Sequence, residues 1–171
     1  MEAPGRVQAA AEEGQRKPPN PDKLARLGFD RDGLLSGCER AGLDQRTADL
    51  IVDYAGLVEA DQGLPEKVRK GVWWLCIDSL AGLELDQIRN ARRVVDIGTG
   101  VGFPGMILAL ALPDHDIALI EQNPSRCEFM RYAIERLRIT NVEVSRTMRR
   151  TGTSRTERST ASSPGTRFGQ R

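Results

Sequence analysis

Residues 94–105 of this chain read Val94-Val95-Asp96-Ile97-Gly98-Thr99-Gly100-Val101-Gly102-Phe103-Pro104-Gly105. The first four of these residues predict a buried strand with an acid near its end. Three glycines at alternate positions let the backbone turn sharply and approach a ligand without a Cβ in the way. The proline suits the first turn of a helix, where its missing N–H costs nothing. A helix that begins here points free N–H groups at the turn, which favours a ligand that carries an anion or a carboxylate.

The strand and helix pattern repeats downstream of this turn. Residues 104–112 are almost entirely Met, Ile, Leu and Ala, which predicts a helix buried against a sheet. Residues 116–121 form a second apolar strand that again ends in an acid, and Asn123 with Pro124 begins another helix, which Asn141 is expected to close. Residues 142–144 alternate like a short third strand. This β-α-β-α-β order with short links predicts a parallel sheet with right-handed crossovers.

The pattern before the first strand is helical. Asp44 or Thr47 is expected to start a long helix, and a further helix is predicted from about Pro65 to Leu83. The i, i+3, i+7, i+10 spacing of the long helix predicts one buried stripe. Its members are Ala48, Ile51, Ala55 and Val58.

The chain therefore divides into four predicted regions. Residues 1–21 are expected to be a disordered leader, because they end in a proline-rich run that cannot continue a helix. Residues 22–92 form the helical N-terminal region, and residues 93–144 form the α/β domain. Residues 145–171 contain almost no large apolar side chains, so they are predicted to be a disordered basic tail.

Charge and cysteine content narrow the class of protein. The net charge of the whole chain is +1, but residues 145–171 carry +6. This basic segment is compatible with a nucleic-acid-binding arm or with a disordered tail that has no role, and its composition favours the tail. The 3 cysteines form no CxxC pair, so neither a disulfide framework nor a metal site is predicted. The chain shows no apolar signal segment and no run near the roughly 20 residues of a membrane span. These features predict a cytoplasmic protein.

Two acids are expected to meet beside the glycine turn. Asp96 and Glu121 lie at the ends of neighbouring strands, where ligands of open α/β sheets bind. A carboxylate at the end of the second strand can accept both hydroxyls of a ribose; alternatively, Glu121 is only the first solvated residue after a buried strand. Gly100, Gly102 and Gly105 match the dinucleotide spacing, but the Asp96 anion is unfavourable beside a pyrophosphate. It suits a cationic amino or sulfonium group, which favours S-adenosylmethionine over NAD.

The residues that surround the turn resemble a known family. The stretch from Asp96 to Gly105 looks like the first motif of class I methyltransferases. Its Phe103-Pro104-Gly105 extension and the upstream Asp78-Ser79-Leu80-Ala81 resemble the ribosomal RNA small subunit methyltransferase G family, also called glucose-inhibited division protein B. The resemblance covers about residues 44–144. It implies an α/β fold, a partial Rossmann-like class I methyltransferase sheet preceded by a helical N-terminal region.

The resemblance also implies an activity. That family transfers a methyl group from S-adenosylmethionine to N7 of a guanine in small-subunit rRNA, so rRNA or the ribosomal subunit is the implied partner. In this reading Gly98 and Phe103 line the cofactor, Asp96 faces its methionine end and Glu121 takes the ribose. No catalytic base is predicted, because N7 already has a free lone pair and needs only alignment with the methyl group. The complete predicted cofactor-binding set is Asp96, Gly98, Thr99, Gly100, Gly102, Phe103 and Glu121.

The sequence departs from the family after the third strand. The Ala-Glu or similar pair that the family places near the adenine is not visible, and Ser145-Arg146-Thr147-Met148-Arg149-Arg150 stands in its place. We therefore expect a C-terminally truncated or frameshifted member. A non-catalytic remnant or RNA-binding module remains the first alternative function, and a nicotinamide-dependent oxidoreductase is the less favoured one.

Overall fold

The computed structural model describes Arg26 and residues 28–147, so the predicted leader and residues 148–171 of the predicted tail lie outside the described part. The helices are α1 (Arg31–Arg40), α2 (Gln45–Ala60), α3 (Glu66–Lys70), α4 (Val72–Leu80), a 3₁₀ turn (Ala81–Glu84), α5 (Asp86–Arg89), α6 (Gly105–Ala111) and α7 (Pro124–Leu137). The strands are β1 (Arg93–Ile97), β2 (Asp116–Glu121) and β3 (Val142–Arg146). The predicted helical region followed by β-α-β-α-β is thus confirmed. In these ranges no helix combines the length and apolarity that crossing a membrane requires.

The three strands form a parallel sheet in the order β1-β2-β3. Strand β3 is longer than predicted, because Ser145 pairs with Ile120 and Arg146 pairs with Glu121. The predicted boundary of the basic tail at residue 145 is therefore too early. Backbone pairing with a neighbouring strand extends β3 through two polar residues that hydrophobic alternation alone does not mark.

The helices cover one face of this sheet. The strand residues that pack in the connected hydrophobic core lie on that face, whereas Ala118 is buried on the opposite face; the former are Val94, Ile117, Leu119, Val142 and Val144. On the opposite face Val95 is 50% exposed and Ile97 is 78% exposed. The prediction that Val94–Ile97 is buried throughout is therefore wrong for half of its side chains. Among the described residues β1 is an edge strand with one covered face.

The N-terminal helices pack on one another through the predicted stripe. Asp44 is the N-cap of α2, and its carboxylate accepts a hydrogen bond of 2.7 Å from the backbone N–H of Thr47. All four predicted stripe residues are buried, which confirms the assigned face of α2. Tyr54, which the sequence analysis did not select, is fully buried among them.

Two predicted helix ends differ from the structure. The single helix predicted from Pro65 to Leu83 is divided into α3, α4 and the 3₁₀ turn. Gly71 separates the first two, with φ −106° and ψ 7°, because a glycine holds helical backbone weakly. Helix α7 ends at Leu137, with Arg138 in the left-handed region at φ 55°.

Asn141 has a different role from the predicted one. Its Nδ2 donates to the carbonyl oxygens of Ala109, Leu112 and His115, over 3.0 to 3.1 Å. The side chain therefore joins the C-terminal end of α6 to the start of β3, instead of closing α7. These contacts stabilise the end of the sheet opposite the glycine turn.

Candidate functional site

The glycine turn follows β1 in left-handed backbone conformation. Gly98, Gly100 and Gly102 have φ values of +77°, +66° and +98°. Residues with a Cβ rarely adopt this region, so glycine is strongly favoured at all three positions. The turn is fixed to β2, because the N–H groups of Gly98 and Thr99 donate to the carbonyl of Ile120 over 2.8 and 3.2 Å.

Two glycines are also required by close packing within the protein. A Cβ at Gly105 would lie 2.2 Å from Cδ2 of Leu119, so its absence lets α6 approach the sheet. A Cβ at Gly102 would lie 2.3 Å from Cγ of Met106 and 2.6 Å from Oη of Tyr54. At both positions the missing Cβ therefore lets the turn pack closely against the hydrophobic core.

Asp96 holds the turn and the start of α6 together. Its Oδ2 accepts hydrogen bonds from the hydroxyl of Thr99 over 2.6 Å and from the N–H of Gly105 over 2.9 Å. A carboxylate at this position also interacts favourably with the helix N-terminus. No described residue donates to the other oxygen, Oδ1. Thr99 is 3% exposed, so its side chain orients Asp96 from inside the turn.

Glu121 reaches the same turn from the end of β2. Its Oε2 accepts from the N–H of Gly100 over 2.9 Å, and its Oε1 accepts from the N–H groups of Gln122 and Asn123, both over 2.8 Å. The guanidinium of Arg126 lies 3.7 Å from Oε2. The structure thus brings both predicted acids to one turn. The alternative that Glu121 is merely solvated is wrong, because the residue is 4% exposed.

These contacts decide the charge of Glu121. Burial raises the pKa of this carboxyl, but the three backbone donors and the Arg126 guanidinium together outweigh that effect. The pKa of Glu121 therefore lies below its ordinary value, and the side chain is an anion at neutral pH. The turn consequently presents two carboxylates whose positions are fixed by backbone N–H groups.

An aromatic cluster lies on the inner side of the turn. Phe103 is half-buried, and its ring centroid is 5.7 Å from that of Tyr54. The hydroxyl of Tyr54 donates to the carbonyl of Val101, at the centre of the turn. In the sequence, the contribution of Tyr54 to the turn is indicated only by its position three residues after Ile51, which places a tyrosine on the apolar side of α2.

A cavity of about 540 Å³ lies elsewhere, between α1, α4 and the C-terminal end of α6. Its lining includes Arg40, Leu80, Arg89 and Leu112, and none of the turn residues. The glycine turn, at the carboxyl edge of the sheet, is therefore separate from this cavity.

The fold and the turn together define the class of protein. A parallel sheet whose first two strands end in acids, joined by a glycine turn and a short helix, is a partial Rossmann-like domain of the class I methyltransferase type. Residues 67–160 match the family described as rRNA small subunit methyltransferase G, which is more than half of the chain. The chain belongs to this family. The matched segment continues past Val144, where the resemblance seen in the sequence was expected to stop.

Three relatives carry the name ribosomal RNA small subunit methyltransferase G. The protein of Mycoplasma mycoides is 40% identical over 68 residues, which cover 40% of this chain and 49% of the relative. That of Rubrobacter xylanophilus is 32% identical over 140 residues, which cover 77% of this chain and 51% of the relative. That of Bifidobacterium longum is 40% identical over 65 residues, which cover 34% of this chain and 29% of the relative. The chain spans about half, or less, of the length of these curated relatives.

Proposed function

We propose that the glycine turn binds S-adenosylmethionine, and that the domain serves the methylation of small-subunit rRNA. The observation that carries the proposal is the convergence of Asp96 and Glu121 on one turn of three left-handed glycines. The names of the relatives support rRNA as the substrate. The target that we propose within it is N7 of a guanine.

Each predicted residue has a role in this proposal that agrees with its contacts. Asp96 directs Oδ1 at the cationic methionine end, while its Oδ2 stays bonded to the protein. Gly98 is exposed and Phe103 is half-buried, so both can line the cofactor. Gly100 and Gly102 shape the turn, and Thr99 acts through Asp96.

The contacts of Glu121 refine its proposed role toward the ribose. A carboxylate offers about four acceptor sites, of which three are already filled by backbone N–H groups. One ribose hydroxyl can therefore be accepted without displacing a donor. Accepting the second hydroxyl on the same side chain would require one of these three donors to be released.

The chemistry asks little of the protein beyond this placement. S-adenosylmethionine supplies the methyl group, and the guanine N7 lone pair needs no deprotonation. The residues of the turn would contribute by holding the donor in line with the acceptor, for which no general base is required. An rRNA substrate and three buried free cysteines support a cytoplasmic location.

The proposal is tested by calorimetric titration of the 171-residue chain with S-adenosylmethionine and, separately, with NAD. We expect binding of the first ligand only, and a loss of roughly five- to thirtyfold in affinity in Asp96→Asn, since an anion next to a cation contributes on the order of 1–2 kcal/mol. Asp116→Asn, at the opposite end of the sheet, is the matched control.

Methyl transfer is measured in a second assay, with radiolabelled S-adenosylmethionine and small-subunit RNA. Transfer to RNA would support the enzyme, whereas binding without transfer would favour the non-catalytic alternative. Binding of NAD in place of S-adenosylmethionine would overturn the proposal and favour the oxidoreductase.

A further inference from the structure

Tyr54 is a polar side chain in an apolar core. It lies on α2, in the helical N-terminal region, and is 0% exposed. Its ring packs against Phe103 with centroids 5.7 Å apart and against Phe129 with centroids 6.3 Å apart. Burial of a tyrosine hydroxyl is unfavourable unless the group forms a hydrogen bond, so the position of its partner carries information.

That partner is the carbonyl of Val101, between the second and third glycines of the turn. Tyr54 also limits the next two residues, because a Cβ at Gly102 would lie 2.6 Å from its Oη and the ring of Phe103 packs on its ring. One side chain from α2 therefore contacts three consecutive turn residues. Burial raises the pKa of this hydroxyl well above its ordinary value, so the group remains a donor across the neutral range.

From the sheet side, the turn is held at its first three residues. Ile120 and Glu121 bond to Gly98, Thr99 and Gly100 from β2. In the segment from Val101 to Phe103, the N–H groups of Gly102 and Phe103 bond within the turn, to the Thr99 carbonyl, and the Gly102 carbonyl accepts from the N–H of Met106 in α6. The Val101 carbonyl is buried, and without the Tyr54 hydroxyl it would lack a donor.

We propose that Tyr54 is a positioning residue that holds Val101–Phe103 in the ligand-ready conformation before the ligand binds. The helical N-terminal region then contributes to the site, because Tyr54 on α2 holds the turn in addition to the contacts from β2. A preformed turn binds with less loss of conformational freedom. The inference rests on the proposed function for the identity of the ligand, S-adenosylmethionine, but not for the anchoring itself.

Tyr54→Phe is the direct test, because it removes the hydroxyl and keeps the ring. We expect the dissociation constant for S-adenosylmethionine to rise about tenfold, which corresponds to about 1.4 kcal/mol. We also expect the Gly102 and Phe103 amides, which donate to the Thr99 carbonyl over 3.0 and 3.1 Å, to exchange with solvent about tenfold faster without ligand.

Ile51→Val is the matched control. Ile51 is fully buried on the same helix, one turn earlier, and the substitution removes a methyl group without touching the turn hydrogen bond. It is expected to lower the melting temperature by an amount similar to Tyr54→Phe while leaving ligand affinity and local exchange unchanged. Equal effects of the two variants on affinity and exchange would overturn the positioning role.

A measurement on the unsubstituted fold covers the case in which Tyr54→Phe does not fold. The chain has 2 tyrosines, so fluorotyrosine labelling gives one buried reporter and one at Tyr132, which is 55% exposed. Because the proposal has the Val101–Phe103 segment in place before the ligand binds, the Tyr54 fluorine should give a single resonance in the ligand-free chain. Several Tyr54 resonances without ligand that collapse to one on titration with S-adenosylmethionine would refute the preformed anchor.

Failure of the proposed function has a different signature. If the wild-type chain does not bind S-adenosylmethionine, the proposed ligand is wrong. Hydrogen exchange of the Gly102 and Phe103 amides then tests the anchoring role of Tyr54 by itself. Faster exchange in Tyr54→Phe supports that role, and unchanged exchange overturns it.

Discussion

Replacing Glu121 by Gln removes a charge from the turn with almost no change in side-chain size. The carboxylate accepts three backbone N–H groups over 2.8 to 2.9 Å and is 4% exposed. A glutamine has one acceptor oxygen. If that oxygen keeps the donors of Gln122 and Asn123, its NH₂ group faces the N–H of Gly100.

The cost follows from these contacts. A hydrogen bond to a charged group contributes about 1.5–3 kcal/mol, and a buried donor without a partner costs about 1–3 kcal/mol. Because part of this cost is relieved by local movement, we expect Glu121→Gln to lower the free energy of unfolding by about 2–4 kcal/mol at pH 7. Urea denaturation followed by circular dichroism measures this difference directly.

The pH dependence gives an independent check. The folded pKa of Glu121 is depressed, so its contribution to stability is fully present above the unfolded pKa of about 4.3 and is lost as pH falls through the folded value. The wild-type advantage over Glu121→Gln should therefore be constant from pH 7 to about pH 5 and shrink at lower pH.

Glu128→Gln is the control, since Glu128 is exposed on α7, one turn beyond the helix start. It should change stability by no more than about 0.5 kcal/mol. If Glu121→Gln is as stable as the wild type at pH 7, or if its deficit does not change on acidification, the carboxylate does not hold the turn and our account of it fails.

Three further predictions concern packing around the site. Gly102 has φ +98°, and a Cβ there would lie 2.3 Å from a side-chain atom, whereas Gly42 has φ +74° and open space for a Cβ. Gly102→Ala should therefore lower the free energy of unfolding by about 1–3 kcal/mol more than Gly42→Ala, as measured by thermal denaturation. Equal losses would contradict the clash. Asn141→Ala removes a donor to three carbonyls and should cost about 1–3 kcal/mol while leaving the affinity for S-adenosylmethionine unchanged in calorimetry; weaker binding would show coupling between the two ends of the sheet. Ile97→Ser should change stability by less than about 0.5 kcal/mol, because the side chain is 78% exposed, whereas Leu119→Ala on the covered face should cost about 2–5 kcal/mol; similar losses in urea denaturation would mean that the opposite face is covered in solution.

The sequence was sufficient wherever a structural requirement is local. The sharp turn at the three glycines and the Asp44 cap depend on the backbone within a few residues; the turn was predicted at its position, and Asp44 was one of the two predicted starts of α2. The meeting of Asp96 and Glu121 was also predictable, since the carboxyl ends of adjacent parallel strands lie at one edge.

The remaining features depend on which surfaces meet across the fold. The anchoring role of Tyr54 needs a contact between residues 47 positions apart, for which a single apolar stripe contains no signal. The exposure of Val95 and Ile97 depends on whether helices cover one face of the sheet or both. An apolar strand sequence does not distinguish these two arrangements. The division of the helix predicted from Pro65 to Leu83 reflects the backbone at Gly71, between α3 and α4, and the 3₁₀ turn that follows α4.

The free acceptor capacity of the two acids sets how the turn can respond to a ligand. Both carboxylates accept hydrogen bonds from the protein's own N–H groups, and these bonds fix their positions. Asp96 retains Oδ1, so a cation can be bound there without any rearrangement. Glu121 retains about one acceptor site, so a ribose that offers two hydroxyls competes with one of its three backbone donors, of which the N–H of Gly100 is the one inside the turn. Releasing that N–H would free a residue held at φ +66° in the middle of the turn. Recognition of the cationic end therefore leaves the hydrogen bonds of Asp96 to the turn in place, whereas acceptance of both ribose hydroxyls by Glu121 requires one of its own bonds to break.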